Sequence, residues 1–178
     1  GSYYSPHFEV GGDYYDVIAL SPNDMGFCIA DVSGKGISAA LLMSNFQANL
    51  RALFSKDISL SALVEKLNER VMATAKGEKF ITMFIGRYNN QTRKLEYVNA
   101  GHNPPFIFVR NSGKIIQLSS GCVGLGMIDD IPIINQGVLN IDEPSTLLCY
   151  TDGLVETIDG DKVVYNTRIL EKNFSRNH

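Results

Sequence analysis

This chain is short of the residues that thiol chemistry, soft metal sites and membrane insertion need. Among its 178 residues there are three Cys and three His. Cys28, Cys122 and Cys149 form no CxxC pair, their number is odd, and no base is suggested beside them, so a thiol nucleophile finds no support. Cys28 and Cys149 lie inside apolar runs (Phe27-Cys28-Ile29 and Leu148-Cys149-Tyr150), which marks them as reduced core cysteines and fits a cytoplasmic location. No apolar run approaches the ~20 residues that cross a bilayer. No secretion signal opens the chain, and a membrane-tethered parent is compatible with that. Basic residues number 16 against 19 acidic ones, a net charge of −3, which argues against extended nucleic-acid binding. Repeats, low-complexity tracts and linkers are lacking too. Residues 1–178 are therefore expected to form a single domain that buries roughly two-thirds of its unfolded surface.

What is present reads as an ordinary globular chain, 44% apolar and 20% charged. Gly1-Ser2 has the look of a cloning remnant and is left out of the fold reading. Residues 13–20 and 24–31 are apolar, β-rich runs around a Ser21-Pro22-Asn23 turn. From Ile37 the pattern changes to helical spacing through about residue 54, and Ser59 caps a second helix that ends before Gly77. The short connection predicts an antiparallel helix pair. Strands are expected over 79–88, 94–99, 106–110, 114–118, 133–141 and 146–150, with Asn111-Ser112-Gly113 a hairpin turn and a last helix over 166–174. Many antiparallel strands with an early helix pair predict an α+β layered sandwich.

Four stretches carry the chemistry: Gly11-Gly12-Asp13-Tyr14-Tyr15-Asp16, Asp31-Val32-Ser33-Gly34-Lys35-Gly36, Asn99-Ala100-Gly101-His102-Asn103-Pro104-Pro105 and Thr151-Asp152-Gly153. Three of them set an Asp at a strand end beside glycine, where the carboxylate can leave the pleat and the backbone can approach a ligand. Such carboxylates, without a matching His or Cys set, suit hard oxygen-ligated cations such as Mg²⁺ or Mn²⁺. Asp31 and the Val32 carbonyl could face one ion; the plainer alternative is a glycine turn with an Asp cap. Asp13 and Asp16 point to opposite faces of a strand. Gly11-Gly12 favours Asp13 for the site and leaves Asp16 a structural role, although both could be surface carboxylates. Asp152 repeats the layout of Asp31. His102, alone in a Gly/Pro turn, reads as a hydrogen-bonding strut rather than a base, and Thr82-Met83-Phe84 reads as core. Gly34-Lys35-Gly36 fails the Walker pattern.

Taken in order, these stretches, with the Ile37-to-Met43 continuation, Phe80-Ile81-Thr82-Met83-Phe84 and Tyr150-to-Glu156, resemble the bacterial PP2C-like serine/threonine phosphatases of the SpoIIE type. The resemblance spans residues 10–156. It implies an α-β-β-α sandwich of two mainly antiparallel sheets flanked by helices, with a two-metal Mn²⁺ or Mg²⁺ centre at one edge. On the family pattern Asp31 bridges the ions, the Val32 carbonyl helps bind one, and Asp13 and Asp152 complete the set. These residues would act through a metal-bound water that attacks phosphorus, with no phospho-enzyme. The implied substrate is a phosphoserine or phosphothreonine on a small regulatory protein of the anti-sigma-factor-antagonist type. An upstream sensor domain is implied in the parent, and dimerisation is left open. Family members close on a strand led by an Asp-Asp pair, which residues 171–178 lack. The chain is therefore expected to be trimmed at both ends or to have diverged there, and to hold one ion or none by itself. Two rival readings are a catalytically impaired signalling module of the same fold and a nucleotide cyclase. Tyr14-Tyr15 after Gly-Gly-Asp speaks against the cyclase.

Overall fold

In the computed structural model, which describes residues 1–3, 11–159 and 162–165, the chain is an α+β layered sandwich. Strands β1 (Tyr14–Ala19) and β2 (Asp24–Val32) form an antiparallel hairpin. Its turn is closed by Ser21, whose Oγ accepts from the backbone N–H groups of Asn23 and Asp24. Helices α1 (Ile37–Leu53) and α2 (Leu60–Ala75) follow. Ser59 caps α2 by accepting from Ala62 N at 3.1 Å, and Lys76 ends it in the left-handed region with φ 51°.

Next come β3 (Ile81–Asn89), β4 (Lys94–Ala100), β5 (Phe106–Val109), β6 (Lys114–Gln117) and the two-residue β7 (Gly121–Cys122). Strands β8 (Gly137–Asn140), β9 (Ser145–Leu148), β10 (Glu156–Asp159) and β11 (Lys162–Tyr165) complete the order. One sheet runs β1-β2-β3-β4-β7 with β8 also paired to β4; a second runs β6-β5-β9; β10 and β11 pair with each other. Among the described residues the ladders are antiparallel except β4–β7.

The two faces of the larger sheet explain the layering. On β3, Ile81, Met83 and Ile85 join the helix-side core with Phe46, Leu50, Leu63 and Leu67. Phe84, from the alternate position, joins Tyr97, Ile107 and Leu118 between the two sheets. Both sets are nearly fully buried, and each large side chain so buried contributes roughly 1.5–3 kcal/mol. Strand β3 is thus covered on both sides, which accounts for the unbroken apolar run Met83-Phe84-Ile85 at its centre.

Several expectations need correction. The strand expected over 133–141 is confined to Gly137–Asn140; Leu125 still bridges Ile81 of β3 and Asn135 N bonds Gly121 O, while the segment between them is held on α2. There Asn68 donates to the carbonyls of Ile128 and Asp129 and accepts from Gly126 N. The third strand starts at Ile81 rather than 79, since Lys79 and Phe80 are held by Ser33 instead. The strand expected over 146–150 is Ser145–Leu148. Strands β7, β10 and β11 were not anticipated. Among the described residues the layers are helix, sheet and sheet; the helix expected over 166–174 lies outside them. Among them, too, no helix is long and apolar enough to cross a membrane.

Candidate metal centre

Asp13 directly precedes β1, Asp31 is the next-to-last residue of β2, and Asp152 opens a short 3₁₀ turn (Asp152–Leu154) beyond β9. Three local devices bring them to one edge. The β1–β2 pairing sets Tyr14 opposite Ala30, which carries Asp13 to the end of β2 where Asp31 stands. Beyond Val32 the chain turns through Gly34 and Gly36 at φ 87° and 83°, values that side chains rarely adopt, and Gly36 leads into α1. Ser33 fastens this turn to β3, donating from its N to Phe80 O and accepting Phe80 N on its hydroxyl, both at 2.9 Å. The third device is Tyr150, buried and stacked on Phe106 with ring centroids 5.9 Å apart, which anchors the segment leading to Asp152. Thr151 then donates to Asp13 Oδ2 at 3.0 Å.

The electrostatics follow from that convergence. Burial, the charge of Asp13, a hydrogen bond with Asp13 and the charge of Asp152 together push the Asp31 carboxyl up to about 7. Asp13 and Asp31 therefore interact directly, whereas Asp152 is exposed and acts on Asp31 through its charge. Among the described residues no three Asp, Glu, His or Cys side chains close around one point as a finished ligand cage. The donor set is nevertheless all oxygen, and two like charges that hold a proton on Asp31 are a place where a divalent cation would relieve repulsion. The residues fit Mg²⁺ or Mn²⁺ in chemistry.

Asp16 is separated from this group, as expected. Arg51 of α1 reaches it with two hydrogen bonds of 2.7 and 2.8 Å, and Tyr14 donates to it as well. Burial pulls the other way, but Arg51 and Tyr14 hold Asp16 below the usual carboxylate range. The strut reading of His102 also holds: its buried ring lies 3.0 Å from Thr82 Oγ1 and 3.1 Å from Tyr150 O. Burial brings His102 down to about 4, so it is neutral. The thiols give no nucleophile, burial raising Cys28, Cys122 to about 11 and Cys149 to about 12.

Two residues escaped the sequence reading. Thr82 is paired with Asp31 across the β2–β3 ladder and its hydroxyl meets His102, so it borders the site instead of filling the core. Thr151 was quoted beside Asp152, yet its link to Asp13 depends on a contact across 138 positions that no local pattern reveals.

Residues 21–178 match the profile of the family described as Stage II sporulation protein E (SpoIIE). The phosphoserine phosphatase RsbU of Bacillus subtilis is 30% identical over 151 residues, covering 85% of this chain and 44% of that protein. Among solved structures, the PP2C phosphatase domain of SpoIIE from Bacillus subtilis, with a fragment of its regulatory domain, superposes with a TM-score of 0.75 at 15% identity. That match covers 93% of this chain and 47% of the other. RsbX in complex with magnesium superposes with a TM-score of 0.68 at 17% identity, over 86% of this chain and 71% of that one. At these identities the structural likeness shows the fold. The chain spans less than half the length of the curated relatives it matches.

Proposed function

Because the chain belongs to the SpoIIE family, we propose that it is the phosphatase unit of a larger protein. On this reading it hydrolyses phosphoserine or phosphothreonine on a regulatory protein, with Mn²⁺ or Mg²⁺ at the Asp13–Asp31–Asp152 edge. The observation that carries this reading is the convergence of three strand-end aspartates on one edge. Asp13 is set beside the end of β2 by the β1–β2 pairing and braced by Thr151. Asp31 lies close enough to Asp13 and Asp152 that burial and their charges raise its carboxyl. A site that stores like charge in this way has a use for a cation.

Asp31, with the Val32 carbonyl, would be the central ligand, and Asp13 and Asp152 the flanking ones. Bound there, the ion would supply a nucleophile from water at neutral pH and neutralise charge on the phosphoryl oxygens. The chain's own residues do the rest. Thr151 braces Asp13 by donating to its Oδ2 at 3.0 Å. His102, neutral and buried, is not the general base. Relatives named phosphoserine phosphatases support a phosphorylated protein as substrate, and three unpaired cysteines accord with a cytoplasmic location.

The test is calorimetric titration of the full-length protein with Mn²⁺, alongside manganese-dependent hydrolysis of an aryl phosphate. Binding and turnover are expected in the wild type, and both should vanish in Asp31→Ala. Binding without turnover would favour the impaired signalling module, and unchanged Mn²⁺ affinity in Asp31→Ala would remove that residue from the site.

A further inference from the structure

The Asn99-to-His102 turn is built so that an imidazole is delivered to the interior. Asn99, buried at the end of β4, donates from Nδ2 to Leu118 O and accepts His102 N on Oδ1 at 2.8 Å. The turn is thereby clamped, and the ring behind it is only 6% exposed. A carbonyl oxygen can only accept, so the contact with Tyr150 O puts the proton on Nε2. Nδ1 is then an acceptor, and the Thr82 hydroxyl donates to it at 3.0 Å in preference to Asp31 O, which lies farther off at 3.5 Å.

A buried histidine with both nitrogens satisfied is ordinary core chemistry. What distinguishes His102 is which elements it joins. Thr82 lies on β3 directly across from Asp31. Tyr150 follows β9, in the other sheet, and the next two residues are Thr151, which holds Asp13, and Asp152. One ring therefore ties the strand pair bearing Asp31 to the segment that supplies Asp152 and orients Asp13.

Resting on the phosphatase reading above, we propose that His102 is a positioning residue of the metal centre: through Nε2–H to Tyr150 O and Nδ1 to Thr82 it sets the spacing between the Asp31 strand and the 150–152 segment. The ring touches neither ion nor substrate. Its effect is on where Asp152 and Asp13 stand before an ion arrives, so its loss should be felt as weaker metal binding rather than as a defect in the chemical step. Partners of this outer kind are typically worth on the order of ten- to a hundredfold in metal affinity.

The two nitrogens can be separated by substitution in the full-length protein. His102→Gln retains a donor near the Nε2 position, whereas His102→Asn retains an acceptor near Nδ1 and loses the reach to Tyr150. His102→Asn is expected to raise amide hydrogen exchange at 150–153 in the metal-free protein and to weaken Mn²⁺ binding, each by about tenfold. High Mn²⁺ should recover most of its turnover, and His102→Gln should restore most of both readouts. Should the His102 variants fail to fold, Thr82→Val and Thr82→Ser serve: Val should weaken Mn²⁺ binding about fivefold and Ser should recover it. Equal behaviour of the Gln and Asn variants, or of the Val and Ser variants, would overturn the proposal. So would a turnover loss that saturating Mn²⁺ does not recover. A wild type that binds no Mn²⁺ would sink the phosphatase reading, while the exchange measurement in metal-free protein would still decide whether the tie exists.

Discussion

Strand β2 carries an aspartate near each end, Asp24 and Asp31, and the two have opposite proton affinities. Asp24 accepts hydrogen bonds from Ser21 at 2.6 Å and Asn89 at 2.8 Å, and these hold its carboxyl below the usual range. Its surroundings are balanced as well. Nearby Glu96 meets Arg87 and Lys94, both at 2.8 Å, and those cations keep it ionised against the pull of burial. At the other end Asp31 is partly buried beside Asp13 and Asp152, and those same factors raise it to about 7. The same residue type in one strand is thus a finished structural contact at one end and a carboxyl crowded by like charge at the other. Stability favours the first arrangement; the second is tolerated where a ligand would complete it.

The comparison can be broken most directly by neutralising each end. Asp31→Asn should lower manganese-dependent turnover about a thousandfold, the loss of roughly 4 kcal/mol of charge stabilisation. Asp24→Asn should leave turnover within about twofold and lower the melting temperature slightly. Comparable losses of turnover at both ends would erase the distinction.

Stability against pH sharpens it further in the metal-free protein. Asp31, raised from 3.8 to about 7, favours folding while protonated, so its contribution is full below about 4 and is lost as pH rises through 7. His102 opposes it: lowered from 6.5 to about 4, it contributes stability above 6.5 that is lost as pH falls through 4. Asp31→Asn removes the first slope and leaves the second. The variant should therefore gain melting temperature relative to wild type as pH climbs from 4 to 7. A pH-independent difference between the two proteins would show that Asp31 is not held protonated.

The smallest expected effect is at Gly12. A Cβ there would stand 3.2 Å from Val32 O and 3.3 Å from Asp31 Oδ1. Gly12→Ala should cost about 1 kcal/mol of stability and weaken Mn²⁺ binding several-fold by pushing on both atoms. Chemical denaturation and calorimetry measure the two, and unchanged values in both would mean that the backbone there is free to retreat.

Much of this was open to reading in the chain. Asp13, Asp31 and Asp152 announce themselves because a carboxylate beside glycine at the end of an apolar run has few structural reasons to be there. The helix pair was legible because apolar spacing and the Ser59 cap are local signals, and the structure places both helices as expected. Thr82 was hidden for the opposite reason. It sits between Ile81 and Met83, both fully buried, so its neighbours signal core and nothing nearby signals a site.

By itself the sequence determined the helix pair, the opening hairpin, most of the longer strands and which carboxylates are out of place, since periodicity, capping and turn chemistry act over a few residues; the short strands β7, β10 and β11 carry no such local signal. It also separated Asp16 from Asp13, because strand alternation needs only a count of positions. Tertiary structure alone decided what the carboxylates do to one another. The proton on Asp31 depends on Asp13 and Asp152, which lie 18 positions before it and 121 after it in the chain. The bracing of Asp13 by Thr151 and the span of His102 from Thr82 to Tyr150 likewise join residues 138, 20 and 48 positions apart. Charge and hydrogen bonding fall off over a few ångströms of space, whatever the separation along the chain, so those effects exist only once the two sheets have closed on each other.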